Sequence, residues 1–424
     1  MTELKKTISI WEGLALAVSM VVGSGLLGLP GLAISEGGIY AAAAGWFFTS
    51  VAVIPLIYIF SKLGLKYTSS AGLSRYAQEA VGDWAGYSVA AVLCGTFTVG
   101  IPALALIGGA YAQKLMNFSD GSVFLLAIVI LGVMTFLNLK GINVASIVNK
   151  ISLSALIFIV LIIIMVNLNF FSIGLNSAFR IFTDGNLNIH DLWKVSALLF
   201  WAFLGWENLS FGLEEFKNPE KSIPLVYWLS FGVVVFLYLS LAVTSIGAQV
   251  SGVSVIGASG LVSLVKDTPV GTVLVGVMVL VILANANAWI FGASRLIYAS
   301  GRQGILPAYL GRLSKHNVPS FSLISLFLFY TAVIIIVKFA NLSISNLILL
   351  VSQNFLILYV FSKLAYWKSE SGIRKWLITA AALLSCGFLL SGFSWLILYP
   401  ITLIILGYLS YRRRIEYNSN RNRW

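Results

Sequence analysis

Stretches of about twenty apolar residues recur along this chain, separated by short polar joints, and no other feature restricts its folding so severely. A bilayer's hydrocarbon core is about 30 Å thick and takes about 20 helical residues to cross. Of 424 residues, 59% are hydrophobic and 10% charged, where an ordinary soluble domain carries roughly 25% charge. A mean hydropathy of +0.94 leaves too much apolar surface for any water-soluble arrangement to cover. Lipid is the solvent for most of the chain, and the fold class expected is all-α integral membrane.

The net charge of +12 does not indicate nucleic acid, because a nucleic-acid face gathers its cations on one soluble patch. Here Lys and Arg occupy the joints, and alternating the joints between two sides puts all but five of the 27 on one side. The positive-inside rule then places both termini in the cytoplasm of a bacterial-type inner membrane. An even number of spans follows. Cys94 and Cys386 both fall inside apolar runs, which supports neither a disulfide framework nor a cysteine-based metal site and reads as two small core residues. The first run follows Lys5 and Lys6 as a secretion signal would, but Glu12 interrupts it and no small-residue cleavage site follows. It reads as a retained first span.

Twelve spans are predicted, over residues 10–34, 39–62, 84–113, 123–139, 145–166, 192–211, 223–246, 270–298, 321–339, 344–364, 375–390 and 393–411. Residues 69–80 are amphipathic and are expected to lie along the membrane surface. A polar outer loop holding Arg180, Asp184, His190 and Asp191 separates spans 5 and 6, and Arg412, Arg413 and Arg414 close span 12 at the cytoplasmic headgroups. One transmembrane domain is expected over 1–424, with a first repeat at about 9–166, a second at about 192–364, and two extra helices at about 375–411.

Spans 1 and 6 are poorly built as helices. The first contains Val21-Val22-Gly23-Ser24-Gly25-Leu26, with Pro30 beyond; the sixth contains Phe203-Leu204-Gly205-Trp206-Glu207. Glycine costs about 1 kcal/mol relative to alanine inside a helix, and a carboxylate at membrane depth costs more. Small residues also let neighbouring helices approach, which is the plainer reading of the glycines alone. Position adds to the case. Spans 1 and 6 head two successive sets of five, an odd number inverts the second set, and interrupted helices at matching places point to a transporter's central site.

Unwinding at mid-membrane bares backbone groups that a zwitterion would satisfy. The half-helix starting near Ser24 and Gly25 would aim its N–H groups and dipole at a carboxylate, with the Ser24 hydroxyl as a further donor. Carbonyls near Val21, Trp201 and Leu204 would face an ammonium, with Gly23 and Gly205 permitting the breaks. Trp201, Phe203 and Trp206 surround the second break, and span 3 brings Val99 beside Pro102, which bends it. These side chains serve equally as packing filler. Taken as a pocket they favour an aliphatic or thioether side chain. Glu207 has two roles open to it, a proton carrier or an acceptor for the freed N–H groups; Glu214 and Glu215 read as a solvated face or a loop latch.

The run from Phe200 to Pro224, Gly23-Ser24-Gly25-Leu26-Leu27-Gly28-Leu29-Pro30, Ser294-Arg295-Leu296-Ile297-Tyr298-Ala299 and Gly304-Ile305-Leu306-Pro307 closely resemble the span 6, span 1 and span 8 motifs of the amino acid–polyamine–organocation (APC) superfamily. The resemblance implies a LeuT-like inverted five-plus-five repeat plus two C-terminal helices, with discontinuous helices 1 and 6 and carboxylate contact at Ser24 and Gly25. Val99-Gly100-Ile101-Pro102-Ala103, residues 215–220 and residues 312–319 look most like the branch exporting methionine and branched-chain amino acids, implying export of Met, Leu, Ile or Val. Many proton-coupled relatives carry a lysine in span 5 where this chain has Leu156, and Lys150 sits too near the cytoplasmic end to take that role. Proton exchange through Glu207, an ion between spans 1 and 8 with Asn285 or Asn287 beside its path, and plain exchange all stay open. So do uptake in place of export, and a channel or substrate-sensing receptor. No cofactor is expected: His190 and His316 stand alone, and no Gly-rich loop ends in Lys-Ser or Lys-Thr. The partners expected are a small amino acid and the bilayer, with no nucleic acid.

Overall fold

The computed structural model describes residues 6, 8–23, 25–67, 72–140, 145–180, 187–302, 306–314, 318–393 and 395–421. These residues of the chain are helical almost throughout. Its α-helices are α1 (Ile10–Val21), α2 (Gly25–Lys66), α3 (Gly72–Val81), α4 (Trp84–Met116), α5 (Val123–Leu139), α6 (Ala145–Val166), α7 (Leu168–Phe179), α8 (Ile189–Leu199), α9 (Pro219–Val250), α10 (Gly271–Arg302), α11 (Ser320–Phe339), α12 (Ile344–Ser369), α13 (Gly372–Leu390) and α14 (Leu398–Arg421). Among the described residues, nine helices are long and apolar enough to cross a membrane, ten if the bent pair α6 and α7 forms one span. The protein is a multi-pass membrane protein.

Glu12, which interrupts the first apolar run, has a local reason. The Ser9 side chain accepts from the Glu12 N–H at 3.4 Å, and the Glu12 carboxylate accepts from the Ser9 N–H at 2.7 Å, so the pair caps α1 from both ends of the first turn. α2 has 42 residues, about 63 Å if straight and twice what a bilayer needs. It is divided at Gly38, where φ is 71°, into arms at 25–37 and 39–66.

The predicted outer loop before α8 is a correction. Residues 168–179 form α7, set at 83° to α6. The Asn167 side chain sits at the corner and donates to the carbonyls of Ile163 and Leu264 at 2.8 and 3.1 Å. α7 then crosses α9 with backbones almost touching: a Cβ on Gly247 would lie 1.7 Å from the Phe170 oxygen. Of the polar residues expected there, His190 and Asp191 open α8, and Asp184 lies outside the described residues, as does His316.

α4 runs through the middle of the bundle, packed on α5, α10, α12 and α14. In their most apolar windows 72% of α12 is buried but only 11% of the last helix, so α12 belongs to the core and α14 to the lipid-facing rim. Lys363 falls near the end of the span predicted over 344–364 and not in a joint; it is 5% exposed and in contact with the Cys386 thiol. Cys94 is half-buried and free.

Candidate functional site

α1 stops where the sequence turns from branched valines to glycine. The Val22 N–H still donates to Val18 O at 2.8 Å, but Val22 is extended (φ −76°, ψ 92°), and the helix resumes at Gly25 with the Leu26 N–H reaching back to Gly23 O at 3.1 Å. Ser24, expected as a carboxylate donor, lies outside the described residues. The second break follows α8. A 3-10 turn covers Phe200–Phe203, Leu204 is extended, Gly205 has φ 111°, and a second 3-10 helix covers Trp206–Glu215. Glycine is required at 205 twice over, by a backbone conformation that L side chains rarely adopt and by proximity. A Cβ there would lie 2.2 Å from the Met20 carbonyl oxygen, so the two interruptions abut.

Backbone groups bared in this way are largely answered by side chains. Glu207, 4% exposed, accepts from the Gly205 N–H at 3.1 Å and from the Tyr359 hydroxyl on the same oxygen, Oε2. The acceptor role foreseen for Glu207 is therefore present in the structure. The Tyr238 hydroxyl lies 2.8 Å from Ala202 O and 3.3 Å from Val21 O, so its single hydrogen serves one frayed carbonyl from each broken helix. Trp201 O is taken by the Leu204 N–H at 3.2 Å. Of the carbonyls expected to face an ammonium, those of Val21 and Trp201 thus already have a partner, and each keeps a second lone pair. Tyr238 and Tyr359 were not singled out in the sequence. Their signal was available, since a tyrosine at membrane depth needs a partner for its hydroxyl.

Removing the Tyr238 hydroxyl should cost about 1–3 kcal/mol, the penalty of a buried acceptor left without a donor. Tyr238→Phe is expected to lower the thermal unfolding midpoint in detergent, with yield retained; an unchanged midpoint would mean that the hydroxyl does not hold the breaks.

Beside the breaks lies a cavity of about 350 Å³, the low end of the range for small-ligand pockets and sized for a metabolite. Val21, Gly23, Gly25, Trp201, Leu204, Gly205 and Glu207 line one side, while Thr96, Phe97, Trp289 and Phe355 face them from α4, α10 and α12. Two expected residues are elsewhere. Phe203 is fully buried between Trp46 and Tyr238, with ring centroids 6.4 and 5.3 Å away, because the 3-10 turn rotates it to the back of the break. Val99 is missed because the cavity face of α4 carries Leu93, Thr96, Phe97 and Leu104, and Val99 falls off that helical stripe. Trp206 is buried against Tyr227 and Phe231. Asn285 lines the cavity opposite Gly23, whereas Asn287 is bonded to Asn138 at 2.7 Å. Leu156 is buried.

The cavity reaches toward the face bearing the N-terminus, where it meets Leu73 and Ser74 of α3. There Ile8 pairs with the end of the second 3-10 helix, its N–H donating to Glu215 O at 2.9 Å and its carbonyl accepting from the Lys217 N–H at 3.1 Å. The latch expected near Glu215 is thus made by its backbone. On the opposite face the loop after α9 packs on α2. The Gly257 N–H lies 3.2 Å from Gly31 O and 2.9 Å from Ser35 Oγ, so the loop after α9 is docked on the first arm of α2.

Residues 8–417 match the family described as "Amino acid permease". The chain is 27% identical to the uncharacterized amino acid permease YecA of Bacillus subtilis, over 96% of this chain and 95% of that protein. It is 22% identical to the L-methionine/branched-chain amino acid exporter YjeH of Escherichia coli, over 95% and 96%, and 22% identical to the E. coli cadaverine/lysine antiporter, over 79% and 76%. The match spans both broken helices and every helix lining the cavity, which makes the protein a transporter and not an enzyme: the chain belongs to the amino acid permease family of the APC superfamily.

Proposed function

We propose that the protein is a secondary active transporter that moves hydrophobic amino acids, Met, Leu, Ile and Val, by alternating access, with the cavity at the two breaks as its substrate site. The observation that carries this reading is the contact between the interrupted helices, Gly205 against Met20 O, which holds two sets of frayed backbone groups at one wall of the cavity. The N-terminal end of α2 at Gly25 offers N–H groups and a positive dipole end to a carboxylate; Val21 O and Leu204 O, on the opposing ends, offer lone pairs to an ammonium. Phe97, Trp289 and Phe355 give the side chain an apolar seat. Glu207 is the sole acid among the described lining residues, and its Oε2 is already engaged, which disfavours a cationic side chain despite the likeness to a cadaverine/lysine antiporter.

On this reading α1 with the first arm of α2 makes one span, the second arm another, and α8 with the 3-10 segments a third, for twelve spans in an inverted five-plus-five arrangement with α13 and α14 outside it. The charge distribution supports cytoplasmic termini in a cell membrane. On that orientation the cavity faces the cytoplasm and the docked loop after α9 closes the outside. Likeness to a methionine and branched-chain exporter supports export as the working direction. Exchange of one amino acid for another on the same site is the second reading, supported by the likeness to an antiporter.

A thermal-shift panel of the twenty amino acids on purified protein tests the site. Ligand at 100 times its Kd stabilises by about 2.7 kcal/mol, so Met, Leu, Ile and Val should raise the midpoint and Arg, Lys and Glu should not; the reverse preference overturns the substrate class. In proteoliposomes, labelled substrate flux should saturate and be stimulated by unlabelled substrate on the far side. A flux that does neither belongs to a channel.

A further inference from the structure

We propose that Gly100 determines how bulky an amino-acid side chain the cavity accepts, because the missing Cβ lets the Trp289 indole lie back against α4. This rests on the cavity being the substrate site. Gly100 is in the interior of a 33-residue helix, where glycine costs about 1 kcal/mol relative to alanine, so the position has to gain something from having no side chain. What it gains is close approach. A Cβ at Gly100 would lie 2.8 Å from Trp289 Cζ3 on α10 and 3.2 Å from Val351 Cγ2 on α12. The first distance is well inside van der Waals contact, so a methyl group here displaces the indole.

The direction of displacement is set by what surrounds the ring. Phe97 meets it edge-on, with centroids 5.7 Å apart and planes at 86°, and Val351, fully buried, closes the side toward α12. α4 itself cannot retreat, being packed on α5, α10, α12 and α14. The cavity adjoins the indole on the remaining side, where Trp289, Ala288 and Gly292 form the wall and a Cβ on Gly292 would meet nothing within 4 Å. A methyl group at Gly100 therefore takes its volume from the cavity. The loss falls on the wall across from the helix breaks, so the groups facing ammonium and carboxylate are untouched. Gly100 acts through Trp289 and is a positioning residue; Trp289 is the surface that a substrate side chain meets.

The test is equilibrium binding of Ala, Val, Leu and Met to full-length purified protein and to its variants. One methylene in an apolar pocket changes discrimination by about 10–200-fold, so Gly100→Ala should weaken Leu and Met about tenfold or more while leaving Ala within about twofold. Trp289→Phe on the Gly100→Ala background should restore Leu and Met. Trp289→Phe alone, which needs no repacking around Gly100, should shift preference toward bulkier side chains. Equal loss for all four ligands, no rescue by Phe, or unchanged size preference in Trp289→Phe would each overturn the proposal. Failure of the unaltered protein to bind any amino acid would overturn the transport reading and this one with it, whereas binding without the size shift overturns this one alone.

Discussion

Gly205→Ala is expected to abolish transport while the protein still inserts in the membrane. Two costs add at this position. A residue with a side chain held at φ 111° carries about 1–3 kcal/mol of backbone strain. Its Cβ would also sit 2.2 Å from Met20 O and 3.0 Å from Met20 C, which are backbone atoms that cannot rotate away. The chain must part the two breaks to fit the methyl group, and parting them disrupts the wall of the cavity that Val21, Gly205 and Glu207 form. A combined penalty of about 3 kcal/mol would lower substrate affinity by more than a hundredfold. Gly232 is the matched control: it lies within α9, a Cβ there meets nothing within 4 Å, and alanine should be neutral or stabilising by up to about 1 kcal/mol. Counterflow in proteoliposomes, normalised to purified protein, distinguishes them. Wild-type flux from Gly205→Ala would mean that contact between the breaks is not part of the transport machinery.

The breaks were legible because several independent penalties coincide on a few residues. Gly23, Gly25 and Pro30 weaken one apolar run and Gly205 and Glu207 another, and a membrane helix has no reason to accept all of them without a gain. What those penalties do not encode is rotation. Val99 and Phe203 are apolar neighbours of the right segments, but a single helical step moves Val99 off the cavity stripe, and the tightening of α8 into a 3-10 turn swings Phe203 behind it. Local pattern also says nothing of partners far along the chain. Tyr238 and Tyr359 meet the breaks from 36 and 152 residues away, and either could have been core filler. The bend into α7 is hidden from local pattern for a similar reason, since Asn167 sits at the corner bonded to Leu264 O, 97 residues on. Lys363 has a flexible stem and lies near the end of an apolar run, which reads as a snorkelling cation; its burial beside Cys386 depends on how α13 folds back.

Replacing Glu207 by glutamine should separate what this residue does for structure from what it does for transport. Both donors, the Gly205 N–H and the Tyr359 hydroxyl, converge on one oxygen, Oε2, so a glutamine that places its carbonyl there keeps both hydrogen bonds and loses only the ability to take up a proton. Glu207→Gln is accordingly expected to unfold at nearly the wild-type temperature. Tyr359→Phe removes a donor from a buried carboxylate and should cost about 1.5–3 kcal/mol, seen as a lower midpoint. If Glu207 carries the coupled proton, a gradient of one pH unit, worth about 1.4 kcal/mol per proton, should support about tenfold accumulation of substrate in wild-type proteoliposomes and almost none with Glu207→Gln, although binding of substrate at fixed pH persists. The two measurements are independent, because stability reports the hydrogen bonds and the gradient reports titration. An unchanged midpoint together with wild-type pH-driven accumulation would leave Glu207 as an acceptor for the broken helix and remove it from the coupling mechanism.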